Sequence, residues 1–127
     1  MSSENLHAPR ERLRPETITM HQAIVSLMEE LEAVDWYGQR VEATTDADLR
    51  AILAHNRDEE IEHAAMVLEW LRRHTPKLDE ELKTYLFTEG PVTAVEENAT
   101  GDEASGTSSV TGGDGSLGIG SLKGETV

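Results

Sequence analysis

The chain has 127 residues, which is enough for one small domain. Its 25 acidic and 11 basic residues give a formal net charge of −14, so its surface repels nucleic acid and anionic membranes and attracts cations. The absence of cysteine excludes disulfides, zinc–thiolate sites and thiolate nucleophiles. No apolar run approaches the roughly 18 residues of a membrane helix, and the N-terminus lacks the apolar core of a secretory signal. We therefore expect a soluble intracellular protein.

The first predicted helix follows a flexible N-terminus, residues 1–14, and starts near Pro15. Gly38 weakens the helical pattern near its end. Apolar residues recur along it at spacings of three, four and seven: Met20, Ile24, Leu27, Leu31, Val34 and Val41.

Two more helices follow before residue 93. The segment Thr45–Asp48 offers an N-cap for the second helix, with an acidic residue three positions after Thr45. Thr75 and Pro76 stop that helix and start a third, shorter one, which ends at Gly90-Pro91. The predicted fold class is therefore all-α, with the folded domain at residues 15–93.

A hairpin of two long helices would leave much of both apolar stripes in contact with water. Four helices are the usual solution, and association of two copies of the chain is the simplest way to supply them. We therefore expect a homo-oligomer in which dimerisation completes a four-helix bundle.

The C-terminal third has a different composition. Glycine, serine, threonine and acidic residues dominate residues 94–114, which predicts a disordered linker. Apolar side chains reappear in residues 115–127, at Leu117, Ile119 and Leu122. Three such residues after a long polar stretch indicate a peptide that folds on a partner's groove.

The apolar stripe of the second helix is interrupted by Glu60 and His63, where leucines would be expected. Their spacing of three residues puts both side chains on one face, and Glu-x-x-His is the ligand pair of di-metal carboxylate bundles. The first helix has a matching anomaly in Glu30, which lies on the edge of the apolar face, three residues after Leu27 and four before Val34. Two copies of the chain would supply four carboxylates and two imidazoles, a ligand set that suits iron or manganese.

A simpler interpretation remains open for this motif. The second helix is rich in acidic residues, so a solvated Glu-x-x-His pair is expected by chance. Glu59 also lies four residues from His63 and competes with Glu60 for the role of ligand.

A second acidic cluster consists of Glu29, Glu32 and Asp35, next to Trp36. Taken alone it is a hydrated surface; as a functional site it would be a weak cation site that draws ions inward.

Two further residues lie near the predicted ligands. Tyr37 shares the Glu30 face and either bonds a ligand or packs as a core aromatic. His55 lies two turns before His63, where it would line the approach to the site.

The segments MEELEAVDWYGQRVEATTD, ILAHNRDEEIEHAAMVLEWLRR and YLFTEGP resemble the encapsulated ferritins, over roughly residues 16–93. The terminal GSLGIGSLKGE resembles the targeting peptide that docks cargo inside encapsulin shells. The resemblance implies a ferritin-like antiparallel helical hairpin with a short C-terminal helix, assembled as a decameric ring of five dimers. It also implies a location inside an encapsulin nanocompartment in the cytoplasm.

The resemblance further implies a ferroxidase that oxidises Fe(II) to Fe(III) with O2 at a di-iron centre between two chains, delivering iron for mineral storage. That centre maps onto Glu30, Glu60 and His63, and Tyr37 would border it. The family's site of metal uptake maps onto Glu29 and Glu32, with Trp36 adjacent, where Ca2+ or another divalent cation would bind.

Two alternative functions remain open. One is a non-catalytic, acidic metal-binding cargo protein. The other is a di-iron peroxidase of the rubrerythrin kind, which the lack of cysteine for an electron-transfer iron site disfavours.

Overall fold

The structure is a computed structural model that describes residues 5–109. Within that range every regular element is helical, in agreement with the predicted all-α class. A 3-10 turn at Arg10–Arg12, inside the predicted flexible N-terminus, precedes four α-helices: α1 at Pro15–Ala43, α2 at Ala47–His74, α3 at Pro76–Tyr85 and α4 at Val92–Ser109.

Local sequence explains where the two long helices begin. Pro15 is the first residue of α1, where its fixed φ and missing N–H are tolerated. The Asp46 carboxylate caps α2, because its Oδ1 accepts the Leu49 backbone N–H at 2.8 Å. The cap is thus Asp46, one residue later than the Thr45 cap that the sequence suggested.

Helices α1 and α2 are joined by three residues and pack on each other as a hairpin. This unit extends to His74. Among the residues that the structure describes, only Ala64 and Leu71 are buried, at 7% and 5% exposure. On these two helices the exposed large apolar side chains are Ile24, Met28, Leu31, Trp36, Leu49, Ile52, Ile61 and Met66.

A second unit begins at Thr75 and contains α3 and α4, which contact each other. Tyr85 near the end of α3 has a raised pKa, because it is partly desolvated and lies near Glu96 and Glu81.

The structure differs from the predicted linker of residues 94–114 over its first part, where α4 runs to Ser109. The first turn of α4 is closed by the backbone N–H groups of Ala94 and Val95, which donate to the Pro91 carbonyl at 3.0 and 3.1 Å. Ala94 and Val95 are half-buried. The linker prediction rests on the glycines from Gly101 onward, whereas Ala94, Glu96 and Glu97 favour a helix.

The rest of the linker and the predicted targeting peptide, residues 115–127, lie outside the described residues. Within the described part of the chain, no helix is both long and apolar enough to cross a bilayer.

Candidate metal centre

Three side chains from α1 and α2 converge on one face of the hairpin. Glu30 comes from the middle of α1, and Glu60 and His63 come from successive turns of α2. One ligand atom from each of the three lies within 4.8 Å of the others. His63 Nδ1 is 3.2 Å from Glu60 Oε1 and 3.7 Å from Glu30 Oε1. The structure therefore brings together the three residues that the sequence pattern singled out.

The pKa values of the two carboxyl groups shift in opposite directions. A hydrogen bond between them raises the pKa of Glu30, with desolvation and the negative charge of Glu60 acting in the same direction. The same bond lowers the pKa of Glu60, and the bond from His63 adds to that effect. The pKa of His63 is raised, chiefly by its hydrogen bond with Glu60. The cluster is thus an electronegative site that a proton or a cation can neutralise.

The donor atoms fit a first-row divalent metal. Two carboxylates and an imidazole nitrogen are ligands that iron and manganese accept, whereas Ca2+ prefers oxygen ligands alone. Glu30 and Glu60 are about one-quarter exposed, at 27% and 26%, and His63 is 46% exposed. Three ligands on an open face leave coordination positions free for further donors.

Glu59 lies apart from this cluster although it is adjacent to Glu60 in the chain. Its Oε2 is 3.6 Å from His55 Nε2, and the two side chains are half or more exposed. The structure therefore pairs Glu59 with His55, and it is Glu60 that faces His63 and Glu30.

The predicted uptake cluster, Glu29 and Glu32 with Trp36, is exposed on α1, and Trp36 is 50% exposed. Neighbouring Asp35 accepts a hydrogen bond from Gln39 Nε2 at 3.0 Å. Among the described residues, Glu30, Glu60 and His63 are the only such side chains that converge as three potential ligands. Within the described part of one chain, Glu29 and Glu32 do not form such a group.

Tyr37 is half-buried on α1. The Arg40 guanidinium carbon lies 5.5 Å from the centre of the Tyr37 ring, in a cation–π arrangement. Sequence reasoning did not identify Arg40, although its spacing of three residues from Tyr37 on a helix was a usable signal.

The sequence matches the family model described as EncFtn-like over residues 5–89. The chain belongs to the EncFtn-like family. It is 65% identical over 128 residues to a protein of Rhodospirillum rubrum named "Encapsulated ferritin-like protein", covering 98% of this chain and 91% of the relative. This family assignment confirms the resemblance found in the sequence.

Further relatives and a solved structure are also similar to this chain. One relative is named "Ferritin-like protein". The chain is also 44% identical over 48 residues to the "Encapsulin nanocompartment cargo protein EncC" of Myxococcus xanthus, covering 38% of this chain and 37% of that protein. The crystal structure of protein ne0167 from Nitrosomonas europaea matches with a TM-score of 0.67 and 62% identity, over 68% of this chain and 96% of the other. This structural match supports the fold of the EncFtn-like chain directly.

Proposed function

We propose that this protein is a ferroxidase, which oxidises Fe(II) to Fe(III) with O2 at a di-iron centre shared by two subunits. The observation that carries the proposal is the convergence of Glu30, Glu60 and His63 within 4.8 Å on an open face. One chain offers two carboxylates and one imidazole, and a second copy related by a two-fold axis would double that set. The result would be the four carboxylates and two histidines of ferritin-like di-iron bundles.

The surface around the cluster supports pairing of two hairpins. A groove of about 490 Å3 lies between α1 and α2, and its lining includes Ser26 and Val67, one turn from Glu30 and His63. Met28 and Met66 are 38% and 63% exposed in the single chain. A second hairpin on this face would remove apolar surface from water, at about 25 cal/mol per Å2.

In the proposed reaction Fe(II) is the substrate. The carboxylates of Glu30 and Glu60 would bind it, and their hard negative charge favours the ferric product. His63 supplies the nitrogen ligand, and its other ring nitrogen stays available for a hydrogen bond that orients the ring. Each Fe(II) gives up one electron, and dioxygen accepts the electrons.

Oxygen consumption after anaerobic loading with Fe(II) tests the proposal. A ferroxidase consumes O2 in proportion to the iron added and turns over again with further Fe(II). A metal-binding cargo protein without redox activity would bind Fe(II) and leave the O2 concentration unchanged. A di-iron peroxidase, the other alternative, would oxidise bound iron faster with hydrogen peroxide than with O2.

The acidic cluster of Glu29 and Glu32 beside Trp36 is proposed as the route by which divalent cations reach the centre. Its exposure on the same helix as Glu30 supports this role, because local negative charge raises the concentration of cations near the surface. Ca2+ would compete with Fe(II) for such an oxygen-only site more effectively than for Glu30, Glu60 and His63.

The C-terminal peptide, with Leu117, Ile119 and Leu122, is proposed to dock the protein inside an encapsulin shell, which would place it in a cytoplasmic nanocompartment. The names of the R. rubrum and M. xanthus relatives support this role. A ring of five dimers would present ten such peptides, whose weak individual binding would add up through avidity.

Deletion of residues 115–127 tests the targeting role. The truncated protein should oxidise iron at the full-length rate in solution and fail to co-purify with a co-expressed shell. If the truncated and full-length proteins co-purified with the shell in equal amounts, the targeting signal would lie in the helical domain instead.

A further inference from the structure

Trp70 lies on the same side of α2 as the candidate metal centre. It follows His63 by seven residues, which is close to two full turns of an α-helix. Its side chain therefore leaves the helix within about 20° of the His63 direction and about 10 Å further along the axis. Trp70 is half-buried. An oxidisable indole ring is thus held two helical turns from the residues that would bind Fe(II).

Met66 occupies the position between the metal centre and the indole ring. It lies three residues after His63 and four before Trp70, and residues at these spacings are neighbours on a helix surface. Met66 and Trp70 also line the same groove between α1 and α2. A polarisable thioether packs well against an aromatic ring, so a row of side chains leads along α2 from the centre to Trp70.

The indole ring of Trp70 is stacked on the imidazole of His74. The two ring centroids are 3.8 Å apart and the ring planes are inclined by 15°. His74 Nδ1 lies 2.8 Å from the Trp70 carbonyl oxygen, and because a carbonyl only accepts, Nδ1 carries the proton of this bond. The bond holds the imidazole against the indole. Since the π face of a ring attracts positive charge, the uncharged imidazole stabilises the charge left when the indole loses an electron.

Tyr37 is the corresponding aromatic residue on α1, where it follows Glu30 by seven residues. Its ring has a different neighbour, because the Arg40 guanidinium carbon lies 5.5 Å from the ring centre. A guanidinium is always positively charged, and a positive charge beside a ring opposes the removal of an electron from it. Of the two rings, that of Trp70 is therefore the easier to oxidise.

We propose that Trp70 is an electron donor, which acts when hydrogen peroxide meets a single Fe(II) ion at the metal centre. The inference rests on the proposed function, because two Fe(II) ions that reduce O2 by two electrons produce hydrogen peroxide. Cleavage of the O–O bond to give water takes two electrons, and a single Fe(II) supplies one. Without a second electron, the reaction releases a hydroxyl radical.

The second electron comes from the indole in this proposal. Fe(II) and Trp70 each lose one electron, the O–O bond breaks, and two water molecules form. Two protons enter those waters; the indole Nε1–H releases one proton to solvent, so the net uptake is one. A further Fe(II) then reduces the neutral indole radical, which takes up a proton and returns to its original state. Peroxide is thereby reduced to water at the expense of two Fe(II) ions.

Electron paramagnetic resonance of freeze-quenched, full-length protein tests the donor. The protein is loaded without oxygen with less than one Fe(II) per two chains and mixed with hydrogen peroxide. The unmodified protein should give a radical signal whose hyperfine splitting changes when its tryptophan is ring-deuterated. This labelling needs no substitution, so its result does not depend on whether a variant folds.

Substitutions assign the signal to one of the two tryptophans of the chain. Trp70→Phe should lose the indole signal and release several-fold more hydroxyl radical to a spin trap. Trp36→Phe removes the other indole and is the matched control, with the radical signal unchanged. Trp70→Tyr restores an oxidisable ring, so it should lower hydroxyl radical release again and give a signal that changes with ring-deuterated tyrosine.

The measurements separate this inference from the proposed function. The initial rate of O2 consumption by Trp70→Phe should stay within about twofold of normal, because Trp70 does not hold iron. Normal O2 consumption by the unmodified protein without an indole signal would overturn the inference alone. So would a signal that responds only to labelled tyrosine, or equal hydroxyl radical release by Trp70→Phe and Trp36→Phe. An indole radical formed with peroxide in a protein that consumes no O2 would instead contradict the ferroxidase proposal.

Discussion

Glu59 and Glu60 are chemically identical neighbours on α2 that face different surroundings. Glu60 bonds to His63 and Glu30, whereas Glu59 lies beside His55 at the surface. This pair provides a matched comparison, because the same substitution removes the same charge one residue apart.

Glu60→Gln should lower the rate of Fe(II) oxidation by about 100-fold or more, because it removes a carboxylate that would bind the metal directly. His63→Ala should have a comparable effect. Glu59→Gln should change the rate by less than about threefold. The three variants are compared by stopped-flow measurement of O2 consumption. Equal decreases in the oxidation rate of Glu59→Gln and Glu60→Gln would contradict the assignment of Glu60 as the metal ligand.

Substitutions in the uptake cluster should act on metal delivery and leave the centre itself intact. Glu29→Ala combined with Glu32→Ala should slow oxidation several-fold at low Fe(II) concentration, where attraction of cations limits the rate. The number of tightly bound iron ions per subunit should stay unchanged by elemental analysis. A drop in that number to the level of Glu60→Gln would show that the two clusters form one site.

A cluster of charges near the C-terminal end of α2 makes stability sensitive to acid. Arg72 and Arg73 donate hydrogen bonds to Glu69 at 2.6 to 2.8 Å and lower the pKa of Glu69 from an ordinary 4.5 to about 2. A depressed folded-state pKa contributes stability above pH 4.5 that is lost as the pH falls toward about 2.

Comparison with the Glu69→Gln variant measures how much the Glu69 carboxylate contributes to stability at each pH. The melting temperature of the unmodified protein should exceed that of Glu69→Gln by a constant amount between pH 5 and 8. The difference should shrink as the pH falls below 4.5. A difference that stays constant down to pH 2 would contradict the assignment, as would one that shrinks with rising pH.

At the scale of the element, the start of α2 depends on one side chain. Asp46→Ala should reduce the free energy of unfolding by about 1 kcal/mol, because it leaves the Leu49 N–H without its acceptor. Thr45→Ala should cost less than about 0.5 kcal/mol, since Thr45 is not the cap. Chemical denaturation measures the free energy of unfolding of both variants. A larger decrease for Thr45→Ala than for Asp46→Ala would favour Thr45 as the cap, as the sequence suggested.

Gly38 lies inside α1, where a glycine destabilises a helix. A Cβ atom at this position would meet Arg57 Cδ at 4.0 Å, an ordinary van der Waals distance. Gly38→Ala should therefore raise the free energy of unfolding by about 0.5 to 1 kcal/mol. A destabilised variant in chemical denaturation would indicate that a second copy approaches the α1 backbone closely at Gly38.

The elements were predictable to different degrees. The apolar pattern of α1 and α2 extends over so many residues that a single exception such as Gly38 does not obscure it. Pro15 and Pro76 mark the starts of α1 and α3, because the fixed φ of proline suits the first turn of a helix. The helix α4 was missed because its favourable residues are few and are followed by glycines. The choice between Glu59 and Glu60 could not be made from spacing alone, because both lie within one turn of His63.

At the scale of the whole molecule, a single chain buries very little. Ala64 and Leu71 are its only buried residues in the described part, and α1 has none. A hairpin this open gains little from hydrophobic burial, so its stability should come largely from association with further copies.

This dependence predicts that activity belongs to the dimer. Dilution through the dimer dissociation range should lower the O2 consumption per subunit in proportion to the dimer fraction measured by sedimentation. Leu31→Asp, placed on the exposed apolar surface of α1 at 54% exposure, should produce the same loss at higher concentration. A monomer with full specific activity would contradict the shared centre.

The most direct test of the account is anomalous scattering at the iron absorption edge, from crystals of the oligomer loaded with Fe(II) without oxygen. We predict two iron ions close together between two subunits, with Glu30, Glu60 and His63 of both subunits as the residues that would hold them. Iron bound within single chains, or at Glu59 or Glu29 with the Glu30, Glu60 and His63 cluster empty, would contradict it.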